Sequence, residues 1–166
     1  MKQIEIKISN NQISYKDAIM YMESRVDDII KNESKELLWF LSHDNIFTQG
    51  TSASEKEILN SNIIEIIKTN RGGKTTYHGP GQRIVYFMLN LNKKNKDIRK
   101  FISIIENSLI TFLAHYNVEA QAFKDRVGIW VTKSNNITFD KEKKIGAIGL
   151  RIKKWVTYHG LSFNIN

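Results

Sequence analysis

The sequence predicts an α/β fold in which a mixed sheet packs with helices, and three observations support this class. Short runs typical of strands recur along the chain between segments with helical spacing. Residues 97–117 place apolar side chains along one helical face. The run RIVYFMLNL is densely apolar and aromatic, which is typical of a central strand. With 166 residues, 41% of them hydrophobic, and no linker-like segment, the chain is expected to form a single domain, residues 1–166.

The chain begins with the alternating run IEIKI, which predicts a strand. A helix is expected next, because Ser14 and Asp17 have the form of a capping box. The residues that then recur at helical spacing are Ala18, Ile19, Met22, Val26, Ile29 and Ile30. The run ELLWFLSH predicts a buried strand leading into a loop, DNIFTQGTSAS. The following segment, EILNSNIIEIIKTN, fits either a short helix or a strand.

The second half of the chain predicts one long helix followed by three strands. The helical face consists of Ile98, Phe101, Ile102, Ile105, Leu109, Phe112, Leu113 and Tyr116. The runs GIWV, KKIGAIGLRI and HGLSFNI predict the strands, and TKSNNITFDKEK is interpreted as a polar hairpin connection.

The net charge of +8 does not by itself indicate a nucleic-acid partner. Only six of the 25 basic residues are arginine, whereas sites that clamp phosphates or contact bases usually favour arginine. Two basic clusters could attract an acidic partner or lie on solvated loops and helix ends. They are Lys93, Lys94, Lys96, Arg99 and Lys100, and then Lys141, Lys143 and Lys144.

The composition also limits the possible chemistry and location. The sequence has no cysteine, so a disulfide, a thiolate metal site and a cysteine nucleophile are excluded within these residues. The four histidines lack metal-ligand spacing, and we expect neither a metal nor another cofactor. The start, MKQIEIKISN, lacks an apolar signal core, and no run approaches the length of a membrane span. We therefore expect a cytoplasmic protein that binds neither membrane nor nucleic acid.

The stretch RGGKTTYHGPGQ, residues 71–82, contains four of the nine glycines and the single proline. It precedes a buried strand rather than a helix, and its spacing matches neither a P-loop nor a dinucleotide-binding motif. Gly72 and Gly73 permit a ligand to approach the main chain closely. Gly79–Pro80–Gly81 predicts a stiff turn. The alternatives are a structural turn or an isolated RGG-type RNA segment.

The tetrapeptide Thr-Tyr-His-Gly occurs twice, at residues 76–79 and 157–160. His78 and His159 could hydrogen-bond a substrate carbonyl, orient a lysine, or anchor bends through the backbone. His43 is interpreted as a loop anchor and His115 as a partly exposed residue at a helix end.

The run RGGKTTYHGPGQRIVYFMLNL closely resembles the signature of the lipoyl(octanoyl) transferases. The resemblance continues in LLWFLSHDNIFTQGTSA, GIWV, KKIGAIGLRI and VTYHGLSFNIN, in the same order and over nearly the whole chain. It implies a biotin/lipoate protein ligase-like fold, incomplete at the C-terminus. It also implies that the two Thr-Tyr-His-Gly segments converge on one acyl pocket.

The activity that the resemblance implies is transfer of an octanoyl group from acyl carrier protein to a lipoyl-domain lysine. The implied partners are octanoyl-acyl carrier protein, the lipoyl domains of 2-oxoacid dehydrogenase complexes, and the glycine cleavage H protein. The basic surface would suit acidic acyl carrier protein.

The resemblance also assigns site residues. Lys144 matches the catalytic lysine of the family, which lowers the pKa of the nucleophilic thiol and assists proton transfer; the residues alone fit a solvated lysine instead. The matching substrate-binding positions are Arg71, Gly72, Gly73, Lys74, Thr75, Thr76, Tyr77, His78, Ala147, Ile148, Gly149, Gly160, Leu161 and Ser162. An eight-carbon chain needs an apolar slot, and each buried CH₂ contributes about 0.8 kcal/mol. Glycines would let backbone amides approach the developing oxyanion.

The family cysteine that carries the acyl thioester lies in a Pro-Cys-Gly phrase beyond the strand equivalent to LSFNIN. This sequence ends at Asn166, before such a phrase. We therefore expect octanoyl transfer through a cysteine that lies beyond the end of this chain. Two alternatives remain open: an inactive remnant or non-catalytic module that binds an acyl chain or a lipoyl domain, and an ATP-dependent lipoate or biotin ligase.

Overall fold

The computed structural model describes residues 4–59 and 64–165 and has the α/β class that the sequence predicts. In chain order, its helices and longer strands are β1 (Glu5–Ile8), α1 (Tyr15–Lys31), β2 (Leu37–Leu41), β3 (Ile46–Gln49), β4 (Ile66–Lys68), β5 (Thr75–His78), β6 (Gln82–Met88), α2 (Ile98–Ala114), β7 (Val118–Ala122), β8 (Ile129–Ser134), β9 (Ile137–Lys153) and β10 (Val156–Asn164). Short 3₁₀ turns lie at Glu55–Glu57 and Leu91–Lys93.

The chain divides into two compact units, each described by itself. The first comprises Met1–Lys96 and Gly149–Asn166, and the second comprises Asp97–Ile148. Strand β9 therefore begins in the second unit and ends in the first. That the two units form the single domain expected from the sequence stays a prediction.

The described residues of the first unit form two sheets. The larger has the order β1-β2-β6-β10, and the last residues of β9 follow beside β10. Strands β1 and β2 are parallel, whereas β6 is antiparallel to both β2 and β10, so the sheet is mixed as predicted. The smaller sheet has the order β4-β3-β5. The apolar run of β6 thus lies between two neighbours, as its composition indicates.

Helix α1 supplies the core of the first unit. It begins after Ser14, whose hydroxyl accepts a hydrogen bond from the Asp17 backbone N–H at 3.4 Å. It ends at Lys31, and the capping residue Asn32 that follows has a left-handed φ of 65°. Its buried face packs against β2, β6 and β10 through a cluster that includes Ala18, Met22, Val26, Ile29, Leu37, Trp39, Ile84, Tyr86, Met88 and Tyr158. The predicted helix is therefore confirmed.

In the second unit, α2 packs against β7 and β8. Its buried residues are Phe101, Ile105, Leu109 and Leu113. The predicted apolar face is too wide, because Ile98, Phe112 and Tyr116 are 36%, 46% and 63% exposed. A helix that packs on one neighbouring layer needs only a narrow stripe at i, i+4 spacing.

Strands β7, β8 and β9 form an antiparallel meander. The segment TKSNNITFDKEK, predicted as a polar connection, is mostly strand. Only Asn135 and Asn136 form the turn, with φ values of 47° and 65°. Two positive φ angles are what a tight two-residue hairpin requires, and asparagine tolerates them. Polar residues can extend such strands because one side of a hairpin can face water.

Three other segments contain strands that the sequence did not predict or left open. The predicted loop DNIFTQGTSAS contains β3, and the glycine-rich stretch contains β5. Of the ambiguous segment EILNSNIIEIIKTN, residues 66–68 form β4, whereas residues 60–63 lie outside the described residues. Strand β7 was not predicted. All of these strands are short, and β3, β4 and β5 pair with strands that are distant in sequence.

Candidate active site

The side chain of Arg71 organises the start of the glycine-rich stretch. Its guanidinium donates to three backbone carbonyls, those of Thr48 at 2.6 Å, Lys74 at 2.8 Å and Gly72 at 2.9 Å. It also donates to the Thr48 hydroxyl from Nη2 at 2.9 Å and from Nε at 3.1 Å. Arg71 is buried, and no carboxylate forms an ion pair with it among residues 4–59 and 64–165. Desolvation is the main reason that its pKa is lowered.

Glycines allow the main chain to close around this arginine. A Cβ at Gly50 would lie 2.3 Å from the Gly73 carbonyl oxygen, and one at Gly149 would lie 2.9 Å from that of Gly72. Gly73 also has a φ of 89°, which favours glycine. The predicted residues Arg71, Gly72, Gly73 and Gly149 are therefore neighbours.

The imidazole of His78 has one tautomer fixed by Gln82. The Gln82 amide nitrogen donates to the Tyr77 carbonyl at 3.2 Å, so its oxygen faces His78 Nδ1 at 2.7 Å. His78 must therefore carry its proton on Nδ1. Its Nε2 lies 3.4 Å from the Thr48 hydroxyl, which accepts from Arg71 and so has its own proton available for His78. Both ring nitrogens are thus occupied within the protein.

A second buried histidine, His43, has the same tautomer. Its Nδ1 donates to the Ile13 carbonyl at 2.6 Å, and its Nε2 accepts from the Tyr86 hydroxyl at 2.7 Å. His43 is fully buried, and the bond to Ile13 makes it an anchor between β2 and the segment before α1. Burial lowers its pKa.

The two Thr-Tyr-His-Gly segments meet in one aromatic cluster. The His43 ring lies 5.7 Å from that of His78 and 5.8 Å from that of Tyr86, between centroids. The Tyr86 ring lies 6.2 Å from that of His159, and Tyr15 stacks on His78 at 5.9 Å. The two segments therefore converge within the first unit, and the acyl pocket expected there stays a prediction.

Burial sets the protonation of this cluster. It lowers the pKa of His78 to about 4 and that of His159 to about 3, and the Arg71 charge adds to both shifts. It also raises the pKa values of Tyr15 and Tyr86. At neutral pH the histidines are uncharged, and Arg71 is the cation among them.

The second Thr-Tyr-His-Gly segment lies inside β10 rather than at a bend between strands. The irregularity is His159, which has a φ of 57° within the strand and whose Nε2 bonds Asn70 Oδ1 at 3.1 Å. At Gly160, a Cβ would lie 2.0 Å from the Val85 carbonyl oxygen. The adjacent predicted residues Leu161 and Ser162 are buried.

The remaining predicted residues of the first unit are more accessible. Lys74 and Tyr77 are exposed, and Thr75 and Thr76 are partly buried. The Tyr77 hydroxyl donates to Asn45 Oδ1 at 2.6 Å, and the Thr75 N–H donates to a carboxylate oxygen of Glu57 at 2.9 Å.

Lys144, Ala147 and Ile148 belong to the second unit. Lys144 is exposed, yet its Nζ lies 5.4 Å from the centre of the Trp130 ring, and partial burial lowers its pKa. Ala147 and Ile148 are partly buried in β9. His115 is exposed and caps α2 by donating from Nδ1 to the Thr111 carbonyl at 2.7 Å, as predicted for a helix-end residue.

Within residues 4–59 and 64–165, no group of three or more histidine, aspartate or glutamate side chains is arranged to hold a metal ion. No helix there is both long and apolar enough to cross a membrane.

Residues 14–166 match the family described as the lipoyl protein ligase A/B catalytic domain. The chain belongs to this family. The octanoyltransferase of Ehrlichia chaffeensis is 46% identical over 98% of this chain and 74% of its own length. That of Bartonella quintana is 44% identical over 98% of this chain and 68% of its own length. This member of the lipoyl protein ligase A/B family is accordingly an enzyme of the transferase class.

Solved structures show the same fold at lower identity. The bipartite lipoate protein ligase of Thermoplasma acidophilum has a TM-score of 0.61 at 15% identity, over 98% of this chain and 62% of that chain. A lipoate-protein ligase A bound with ATP has a TM-score of 0.60 at 17% identity, over 97% and 66%. The lipoate ligase fold expected from the resemblance is confirmed.

Several residues that contact the predicted site residues were not themselves predicted. Thr48, Asn70, Tyr86 and the side chain of Gln82 contact the predicted residues directly. One signal was available: Tyr86 places a hydroxyl within a buried apolar strand, where it needs a partner. Thr48 gave no signal, because its segment was interpreted as a loop.

Proposed function

We propose that this protein transfers an octanoyl group from acyl carrier protein to a lysine of a lipoyl domain in the cytoplasm. The observation that carries the proposal is the 44–46% identity to octanoyltransferases over 98% of the chain. A lipoyl domain as acceptor is supported by the Thermoplasma ligase, whose structure is described together with its E2 lipoyl domain.

The proposed transfer has two steps. A cysteine thiolate attacks the thioester carbonyl of octanoyl-acyl carrier protein, the old carbon–sulfur bond breaks, and the carrier thiol leaves with a proton. The lipoyl-domain amine then attacks the new thioester, forms an amide and releases the enzyme thiol. None of the 166 residues is cysteine, so the thiol must come from outside them.

Lys144 is proposed as the catalytic amine. Its pKa is lowered by partial burial, which makes the neutral amine easier to reach near neutral pH. In that form it can take the proton of the attacking thiol, and as the ammonium it then stabilises the thiolate.

The first unit is proposed to bind the thioester. His78 is not proposed as a donor to the substrate carbonyl, because Gln82 takes its only ring N–H. Its proposed role is to hold the turn before β6, which leaves backbone amides of the glycine-rich stretch to stabilise the oxyanion. Gly149, Gly160, Leu161 and Ser162 of this unit are proposed to border the acyl chain, and Ala147 and Ile148 of the second unit stay predicted acyl-chain residues.

The test uses intact-mass spectrometry with octanoyl-acyl carrier protein and a lipoyl domain. A version extended to the length of the relatives, with the cysteine, should gain an octanoyl thioester and then octanoylate the domain without ATP. The chain of residues 1–166 should gain no thioester, and Lys144→Ala in the extended version should slow thioester formation at least tenfold.

The same experiment tests the alternative that the protein is an ATP-dependent ligase. This alternative is considered because a lipoate-protein ligase A bound with ATP has the same fold. Product that forms only from free octanoate and ATP would replace the proposal with a ligase activity. Binding without product under either condition would indicate a non-catalytic module.

A further inference from the structure

Lys144 faces an aromatic residue across the sheet of the second unit. In the antiparallel pairing of β8 and β9, Trp130 and Lys144 are direct partners. Such cross-strand partners have neighbouring Cβ atoms and interact through their side chains. The 5.4 Å separation between Lys144 Nζ and the ring centre places the ammonium over the indole.

A register shift occurs immediately beside this pair. The pairing passes from Ile129–Gly146 to Trp130–Lys144, which is one step along β8 but two steps along β9. Ile145 is therefore an extra residue on β9. A bulge of this kind bends its strand and redirects the adjacent side chains.

Gly128 leaves the space through which the Lys144 side chain runs. A Cβ at Gly128 would lie 2.7 Å from Lys144 Cε and 2.7 Å from the Gly146 carbonyl oxygen. Gly128 also has a φ of 132°, a conformation that other residues rarely adopt. The Gly146 backbone and this φ therefore require glycine at the first position of the GIWV motif, and the Lys144 side chain lies in the space that Gly128 leaves.

The nearest carboxylate on the same strand is already paired. Glu142, two residues before Lys144, forms an ion pair with Arg126. The Arg126 guanidinium also stacks on the rings of Phe123 at 4.1 Å and Trp130 at 4.4 Å. Within residues 4–59 and 64–165, no carboxylate forms an ion pair with Lys144, and burial of its ammonium is therefore not offset.

We infer that Trp130 and Gly128 are positioning residues that hold the Lys144 amine, and that Arg126 keeps Glu142 from pairing with it. The inference deepens the proposed function, because it explains how a catalytic lysine could be kept in place. The positioning itself does not depend on that function.

The direct test is nuclear magnetic resonance of the chain of residues 1–166. The ring current of Trp130 should shift the ε-methylene protons of Lys144 upfield. Trp130→Ala should remove this shift, and Trp130→Phe should retain part of it. A matched control is available nearby, because Lys143 Nζ lies 4.4 Å from the Phe139 ring centre. Phe139→Ala should move the Lys143 resonances and leave those of Lys144 unchanged.

A titration tests the role of Arg126. In Arg126→Ala, Glu142 is free to pair with Lys144, and the pKa of Lys144 should rise. Arg126 shares the Trp130 ring with Lys144 and pairs with Glu142, so the double variant Arg126→Ala/Glu142→Ala should lose that rise. An unchanged pKa of Lys144 in the single variant would overturn this part of the inference.

The outcomes separate the inference from the proposed function. If the Lys144 resonances do not change in a folded Trp130→Ala protein, the positioning role is wrong whatever the enzyme does. If they change but the extended protein transfers no octanoate, the positioning stands and the function fails. If both hold, Trp130→Ala in the extended protein should lower kcat severalfold with little change in KM, because an aromatic role in substrate binding would raise KM instead.

Discussion

At His78, hydrogen bonding fixes the tautomer and burial fixes the charge. Gln82 holds the proton on Nδ1, and the Thr48 hydroxyl lies opposite Nε2. The pKa of about 4 means that the folded protein resists protonation of this ring, whereas an unfolded histidine titrates near 6.5. Stability must therefore depend on pH.

We predict that the free energy of unfolding decreases as the pH is lowered from about 6.5 to about 4. In this range the unfolded chain binds a proton at His78 and the folded chain does not, so protonation favours unfolding. The full contribution is present above pH 6.5, and the loss at this residue is on the order of 3 kcal/mol. Urea denaturation at several pH values measures it.

The control for this prediction is His115→Asn, because His115 is exposed at the end of α2. His78→Asn should reduce the pH dependence, and His115→Asn should preserve it. A His78→Asn protein with the same slope as the parent would show that the acid sensitivity has another source. His159, with a pKa of about 3, contributes over the same range and extends the dependence to lower pH, so part of the slope should remain in His78→Asn.

Residue types explain why only part of the site was predictable. Arg71 and His78 lie in a conspicuous motif, so the sequence alone drew attention to them. Their partner Thr48 is 23 residues from Arg71 and 30 from His78, and no local pattern connects them. The tautomer of His78 required the orientation of the Gln82 amide, which depends on folded geometry.

At the scale of elements, the pairing of β10 with β6 requires a glycine at position 160. Gly160 pairs with Tyr86 on β6, and a Cβ at this position would overlap the Val85 carbonyl oxygen, 2.0 Å away. Because that oxygen belongs to the backbone of a central strand, it cannot move aside without disturbing the sheet.

We predict that Gly160→Ala destabilises the protein by about 2–3 kcal/mol, as overpacking in a core does. The comparison variant is Gly72→Ala, whose Cβ would meet only the Leu150 carbonyl oxygen at 3.1 Å and which should have a smaller effect. Thermal unfolding of both variants measures the difference. Equal destabilisation would mean that β10 and β6 separate more easily than this packing indicates.

Local signals account for which elements were predicted. Helix α1 has both a capping residue, Ser14, and apolar residues at helical spacing, so its own sequence specifies it. Strands β3 and β5 have four residues each, and glycines follow both. Their pairing with each other brings together residues 30 positions apart, such as Thr48 and His78. Periodicity over so few residues cannot reveal that pairing.

The whole molecule carries a net charge of +8, and this charge should favour association with an acidic partner. Opposite charges steer association, and salt screens them over about 10 Å at 0.1 M ionic strength. An acidic carrier protein should therefore bind more tightly than its acyl group alone explains.

We predict that affinity for octanoyl-acyl carrier protein falls at least tenfold when ionic strength rises from about 0.05 M to about 0.5 M. Fluorescence anisotropy with labelled carrier protein measures the change. Octanoyl-pantetheine, which carries no net charge, serves as the control and should bind with nearly constant affinity. If the affinity for the carrier protein did not change with salt, the prediction would be wrong, and binding would depend on the acyl group and its attached arm instead of on charge.

The fold class and the convergence of the two repeated tetrapeptides were predictable for the molecule as a whole, and its division into units was not. Alternating patterns and the family resemblance predict the class. No linker marks the boundary at Ile148–Gly149, because the chain passes it inside the continuous strand β9. Composition cannot signal a boundary that lies within a strand.

Three backbone carbonyls accept hydrogen bonds from the side chain of Arg71, and this limits which residue can occupy the position. A planar fork with five donors can serve three acceptors from one point, whereas the ammonium of lysine has another shape and another reach. The shape of the guanidinium, and not only its positive charge, therefore explains why the RGGKTTYHGPGQ motif begins with arginine.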